Sequence, residues 1–241
     1  MIISHKHKYL FVELPRTGTT AIHDELIKNY DGEEILLKHA TYRDFLKVAS
    51  EEEKNYFVFS CIRNPMDRVV SLFLKLQNPT GQFNKTQYRR SKTISAIVFN
   101  KRIRYIQKYN PSFANYFKKF YHLPYDDWSS LDHHRFDYIL RFENLNNDFQ
   151  TLLKKIGLKK VRDLPTINVT TSKKDYVDYY TPDIQKKACK IFGPFMQKFE
   201  YEFPSDWITC HLNQWDYLKY KFWSNVLKIY WTSKFRKPKI K

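Results

Sequence analysis

KYLFVELPRTGTTAIHD, residues 8–24, holds a strand, a tight turn and the start of a helix in one short run. The apolar segment Tyr9-Leu10-Phe11-Val12 reads as a buried strand that stops at Leu14-Pro15. Arg16-Thr17-Gly18-Thr19-Thr20 then turns the chain, and Ile22, Leu26, Ile27 and Tyr30 follow on one side of a helix. A junction of this kind is an anion site. The first helical turn points unpaired N–H groups and the positive end of its dipole into the loop. Thr17, Thr19 and Thr20 add hydroxyl donors, and Arg16 adds a planar fork suited to phosphate or sulfate. The loop is not a Walker A sequence: Gly18 is its single glycine, and the closing Gly-Lys-Ser/Thr step is missing.

The same physics recurs downstream. Residues 56–62, YFVFSCI, form a second buried strand, followed by Arg63-Asn64-Pro65. Asn64 suits an N-cap and Pro65 the first helical position. Val69, Leu72, Phe73 and Leu76 then mark the apolar side of the helix, with Asp67 and Ser71 on another face. Between the two units, residues 33–37 read as a short strand ending near His39, and Thr41 with Asp44 three residues on marks the start of a helix to about Ala49. Residues 136–142, FDYILRF, form a further strand, and Phe149, Leu152, Leu153 and Ile156 line the helix that returns from it. Strands alternating with helices predict an α/β fold with a parallel sheet, both arginine-bearing loops lying at its carboxyl edge.

Composition sets bounds. A chain of 241 residues, 42% hydrophobic and 28% charged, can bury a proper core. The formal net charge of +17 favours anionic partners without choosing among nucleotide, nucleic acid, acidic polysaccharide or membrane surface. From Arg68 to Tyr125 there is no acidic residue, and 12 are basic. Residues 79–92 read as a loop, with helices over 93–108 and 112–120. Cys61, Cys189 and Cys210, an odd number without metal spacing, read as reduced thiols of a cytoplasmic protein. The opening MIISHKHKYLF lacks a signal-peptide apolar stretch, and no run reaches membrane-spanning length. The pairs His5/His7 and His133/His134 lack the ligand set of a metal site.

After a polar loop through Thr170-Thr171-Ser172-Lys173-Lys174, a helix runs from about Pro182 to Phe199. The body spans 1–206, and 207–241 form a basic, amphipathic helical extension. Trp215, Leu218, Phe222, Val226 and Ile229 make an apolar stripe there; beyond Asp216 come eight basic residues and no acidic one. Two readings stand: a terminal helix docked on the body, or a helix lying on an anionic membrane or partner surface.

At this point the sequence resembles a known family. Leu14-Pro15-Arg16-Thr17-Gly18-Thr19-Thr20 resembles the 5′-phosphosulfate loop of sulfotransferases that use 3′-phosphoadenosine 5′-phosphosulfate (PAPS). The run from Cys61 through Arg63-Asn64-Pro65 to Ser71-Leu72-Phe73 resembles their 3′-phosphate motif. Leu140-Arg141-Phe142-Glu143-Asn144-Leu145 with Asp148-Phe149, and the close through Phe199-Glu200-Tyr201-Glu202-Phe203, are similar to later parts of the carbohydrate-type, family 2-like branch. The likeness covers about residues 8–203 and implies a P-loop-NTPase-like sheet. It also implies that Arg16, Thr17, Gly18, Thr19 and Thr20 hold the 5′-phosphate, that Arg63 and Ser71 hold the 3′-phosphate, and that Lys173 closes over the nucleotide. Arg16 stands where many relatives carry a catalytic lysine; arginine neutralises the leaving phosphate but is a poor proton donor.

The implied reaction is in-line sulfuryl transfer to a hydroxyl on a saccharide or glycolipid, with no metal and no nucleic-acid partner. His39, at a strand end beside the first loop, titrates in the range of a base, as a histidine does in the uronyl branch; Glu13 and His23 are lesser candidates. Two other readings compete. A nucleotide kinase or NTPase of related fold would carry a magnesium-binding carboxylate after Ile62. A non-catalytic polyanion binder explains the charge but not the paired turns.

Overall fold

The computed structural model describes residues 1–77, 94–165, 174–207 and 210–232. The loop read at 79–92, Lys173 with the polar loop before it, and the end of the basic tail lie outside the described residues. In chain order the elements are β1 (Ile2–Ser4), β2 (Tyr9–Val12), α1 (Thr19–Asn29), β3 (Glu33–Glu34), α2 (Tyr42–Phe45), β4 (Phe57–Ile62), α3 (Pro65–Gln77), α4 (Ile94–Tyr109), α5 (Phe113–Phe120), β5 (Tyr138–Arg141), α6 (Leu145–Lys155), α7 (Pro182–Lys198) and α8 (Gln214–Thr232). They group into two compact units. One comprises Met1–Asn64, Asp127–Thr171 and Asn225–Lys241; the other comprises Pro65–Asp126 and Ser172–Ser224.

Among the described residues, the first unit contains a five-stranded sheet in the order β3-β1-β2-β4-β5. Its centre is parallel: Val12 of β2 pairs with Ser60 of β4, and Ile62 of β4 with Arg141 of β5. Side chains alternate across the strands. Tyr9, Phe11, Phe59, Cys61 and Leu140 face α1 and α6, while Leu10, Val12 and Val58 face Tyr42, Phe45 and Tyr56. Both faces are covered, so the strands read as unbroken apolar runs.

Several local expectations change. The sheet is mixed rather than wholly parallel, because β1 lies antiparallel between β2 and β3. Only three residues pair there, and Lys8 closes the hairpin at φ 52°. The strand expected over 33–37 holds only Glu33–Glu34; Leu36 sits at φ 60° and takes the chain out of extended geometry. Ile27, expected on the buried side of α1, is exposed. The capping box of Thr41 and Asp44 forms as expected, though α2 ends at Phe45.

The second unit is helical and accounts for much of the aromatic content. Phe73 of α3, Phe113, Tyr116 and Phe117 of α5, Tyr180, and Phe192 of α7 pack in one buried cluster. The Tyr180 hydroxyl donates to the Met66 carbonyl at 3.1 Å. Part of the acid-free stretch serves this interior. Arg102 lies against the rings of Tyr116, Phe120 and Tyr121, and Arg68 donates to the Tyr125 hydroxyl, so neither belongs to an exposed basic face. Cys189 and Cys210 form a disulfide with Cα atoms 5.4 Å apart, which overturns the expectation of reduced thiols; Cys61 alone is unbridged among the described residues. Such bonds persist in oxidising surroundings, so cysteine usage no longer supports a cytoplasmic setting. No helix among the described residues is long and apolar enough to cross a membrane.

Candidate active site

The carboxyl ends of β2, β4 and β5 carry the predicted residues, and the first unit brings most of them together. After β2 the Leu14 carbonyl accepts two hydroxyls, Thr17 Oγ1 at 3.1 Å and Thr19 Oγ1 at 3.2 Å. Both threonines are buried. Their hydroxyls therefore bind the loop into shape rather than facing outward, and the donors left for an anion are the N–H groups of the first turn of α1, with Thr20 beside them. Arg16 (φ 68°) and Gly18 (φ 76°) both adopt left-handed backbone, which folds the loop back onto the helix start. Gly18 is the residue preceding α1. A Cβ there would lie 2.9 Å from Leu145 Cδ2 and 3.0 Å from the Phe142 ring.

Arg63 follows β4, the strand adjacent to β2. One of its guanidinium nitrogens donates to the Arg16 carbonyl at 3.2 Å, and the guanidinium lies 4.0 Å from the centre of the Phe142 ring. The third strand end completes the arrangement: Glu143 accepts the Asn64 N–H at 2.6 Å, and Asp148 accepts the Arg141 N–H at 2.6 Å. In the sequence Phe142 and Glu143 belong to the family likeness alone, which gives them no role. Their function as a bed for Arg63 and a lock on the turn after β4 depends on contacts across 79 residues or more of chain.

His39 lies half-buried at φ 62°, with Nδ1 3.1 Å from the Glu13 carbonyl oxygen. A carbonyl only accepts, so Nδ1 carries the hydrogen and Nε2 is the basic nitrogen of the neutral ring. The lesser candidates are committed elsewhere. The buried Glu13 carboxylate receives the Met1 amino group at 2.8 Å and His23 Nδ1 at 3.0 Å, with Lys38 at 3.8 Å. His23 Nε2 meets Glu34 at 3.3 Å. Cys61 is fully buried, and burial pushes its thiol far above the usual range, which leaves it unreactive. Ser71 stands on α3 in the second unit, partly buried. Lys173 lies outside the described residues. His5 and His7 are engaged by Tyr56 and Asp31, and no group of three His, Cys, Asp or Glu side chains among the described residues could hold a metal ion.

The first unit thus presents two arginines and a helix N-terminus converging at one sheet edge, with an oriented imidazole on the adjoining loop. That edge can hold an anionic group and take up a proton next to it. A family model described as "Sulfotransferase family" matches residues 1–202. Neither a curated protein nor a solved structure matches the chain. The matched span takes in every strand among the described residues and the site residues from Arg16 to Arg63, and on it the chain belongs to the sulfotransferase family, whose activity is transfer of a sulfuryl group.

Proposed function

We propose that the protein transfers the sulfuryl group of PAPS to a hydroxyl of a saccharide, with His39 as general base. The observation that carries this reading is the bond from the Arg63 guanidinium to the Arg16 carbonyl, which joins two cationic turns on adjacent parallel strands. A nucleotide with phosphate groups at both ends asks for two such turns. The turn at Arg16–Thr20 would hold the 5′-phosphosulfate through N–H groups and the Arg16 charge, and Arg63 would hold the 3′-phosphate. In the reaction the acceptor oxygen attacks sulfur, the bond from sulfur to the bridging oxygen breaks, and adenosine 3′,5′-bisphosphate leaves. The hydroxyl proton passes to His39 Nε2, the ring being held by its Nδ1–H on the Glu13 carbonyl. By analogy with phosphoryl transfer, catalysis is positioning and neutralisation of charge.

The test is His39→Gln in the full chain, with labelled PAPS offered against a panel of glycans, glycolipids and simple alcohols. Turnover on the preferred acceptor should fall by about 10²- to 10⁴-fold, the usual contribution of a general base. The Kd for adenosine 3′,5′-bisphosphate should stay nearly unchanged. Loss of nucleotide binding in this variant would remove the role given to His39.

A further inference from the structure

We propose that the first turns of α8 form a docking surface for anionic phospholipid membranes. The proposal does not depend on the sulfotransfer reading. Trp215, Leu218 and Phe222 recur at helical spacing and are 70%, 55% and 70% exposed. The helix is held within the second unit by its other side. Asn213 and Asp216 bond reciprocally at its start (3.1 and 3.0 Å), Tyr217 donates to Gln197, and the Ser224 hydroxyl donates to Asp126 at 2.6 Å. The apolar stripe is therefore presented outward by a seated helix.

Charge selects the occupant. At 100° per residue, Lys219 and Lys221 fall on opposite flanks of the stripe. Lys219 also lines a cavity of about 490 Å³ with Lys186, Lys187 and Lys190 of α7, against Asp183 and Asp216. Burial, and then the nearby Lys118, hold the Lys187 ammonium below the ordinary lysine range, a cost that an anion in the cavity would offset. Beyond Asp216 the sequence adds only basic charges. An apolar stripe between lysines suits the boundary of headgroups and acyl chains: Trp215, Leu218 and Phe222 enter the acyl side, and the lysines meet phosphate. A second copy of a chain of net charge +17 would instead set like charges against each other.

Co-sedimentation of the full chain with vesicles tests this. Vesicles containing about a third phosphatidylserine in phosphatidylcholine should bind at least tenfold better than phosphatidylcholine alone, and added salt should reverse the binding. Leu218→Asp with Phe222→Asp should lower binding by more than about tenfold at unchanged far-ultraviolet circular dichroism. If that pair misfolds, Lys219→Gln with Lys221→Gln, both on exposed positions, should weaken binding by roughly fivefold per lysine. Equal binding to both vesicle types, or an unchanged charge variant, overturns the proposal. So does full competition by free phosphate, which would assign the cavity to a soluble anion. A dimer that Leu218→Asp with Phe222→Asp dissociates, in a protein that ignores vesicles, would give the stripe to a second copy and overturn it as well.

Discussion

Replacing Gly18 by alanine separates two costs that the structure places on one residue. The first is conformational. Gly18 sits at φ 76°, where an L-residue costs about 1–2 kcal/mol. The second is steric. The new Cβ would stand 2.9 Å from Leu145 Cδ2 and 3.0 and 3.2 Å from two carbons of the Phe142 ring. The Leu145 methyl can rotate away. The Phe142 ring has less room, because the Arg63 guanidinium lies over it at 4.0 Å. Overpacking of this kind costs about 1–3 kcal/mol, so Gly18→Ala should destabilise the chain by about 2–5 kcal/mol. Gly157 supplies the control. Its φ is 75°, yet nothing lies within 4 Å of where a Cβ would stand, so Gly157→Ala should cost only about 1–2 kcal/mol of conformational energy. Urea unfolding of both variants, followed by circular dichroism, measures the difference. Since the displaced ring carries Arg63, the Kd for adenosine 3′,5′-bisphosphate should also rise by about tenfold or more in Gly18→Ala and stay level in Gly157→Ala. If the two variants unfold within about 0.5 kcal/mol of each other, the packing argument at Gly18 is refuted.

Arg63→Ala should weaken adenosine 3′,5′-bisphosphate binding by roughly 10- to 150-fold, the range for losing a charged hydrogen bond, measured by titration calorimetry. Arg63→Lys should recover little, because an ammonium cannot both stack on Phe142 and bond the Arg16 carbonyl as the planar fork does; normal affinity in either variant would show that the turn after β4 does not bind the nucleotide. Cys210→Ser opens a loop closed across a sequence separation of 21 and should cost about 3 kcal/mol in urea unfolding. The parent protein under reductant should then unfold like the variant, and an unshifted midpoint would mean that the bridge does not form in solution.

Much of the α/β framework was legible because its signals are local. The runs Tyr9–Val12 and Phe57–Ile62 each precede a turn with an arginine and then a helix with apolar residues at 3.6 spacing, and strands buried on both faces read as unbroken apolar runs. Adjacency of β2 and β4 then follows from topology and sets Arg16 beside Arg63. The strand β1 was not legible, since three residues carry too little periodicity to stand out. The inward direction of the Thr17 and Thr19 hydroxyls was equally hidden, because the loop's three threonines are alike in sequence and only the Leu14 carbonyl sets these two apart.

Local chemistry determined the central strands, the two arginine-bearing turns and the capping of α2, because each depends on residues within a few positions of one another. Tertiary structure alone decided that Phe142 roofs Gly18 and carries Arg63, that the Glu13 carbonyl fixes the tautomer of His39, that Cys189 meets Cys210, and that the stripe on α8 faces outward. Each of those contacts joins groups far apart along the chain, and a spacing pattern holds no record of which distant groups the packed chain brings within reach.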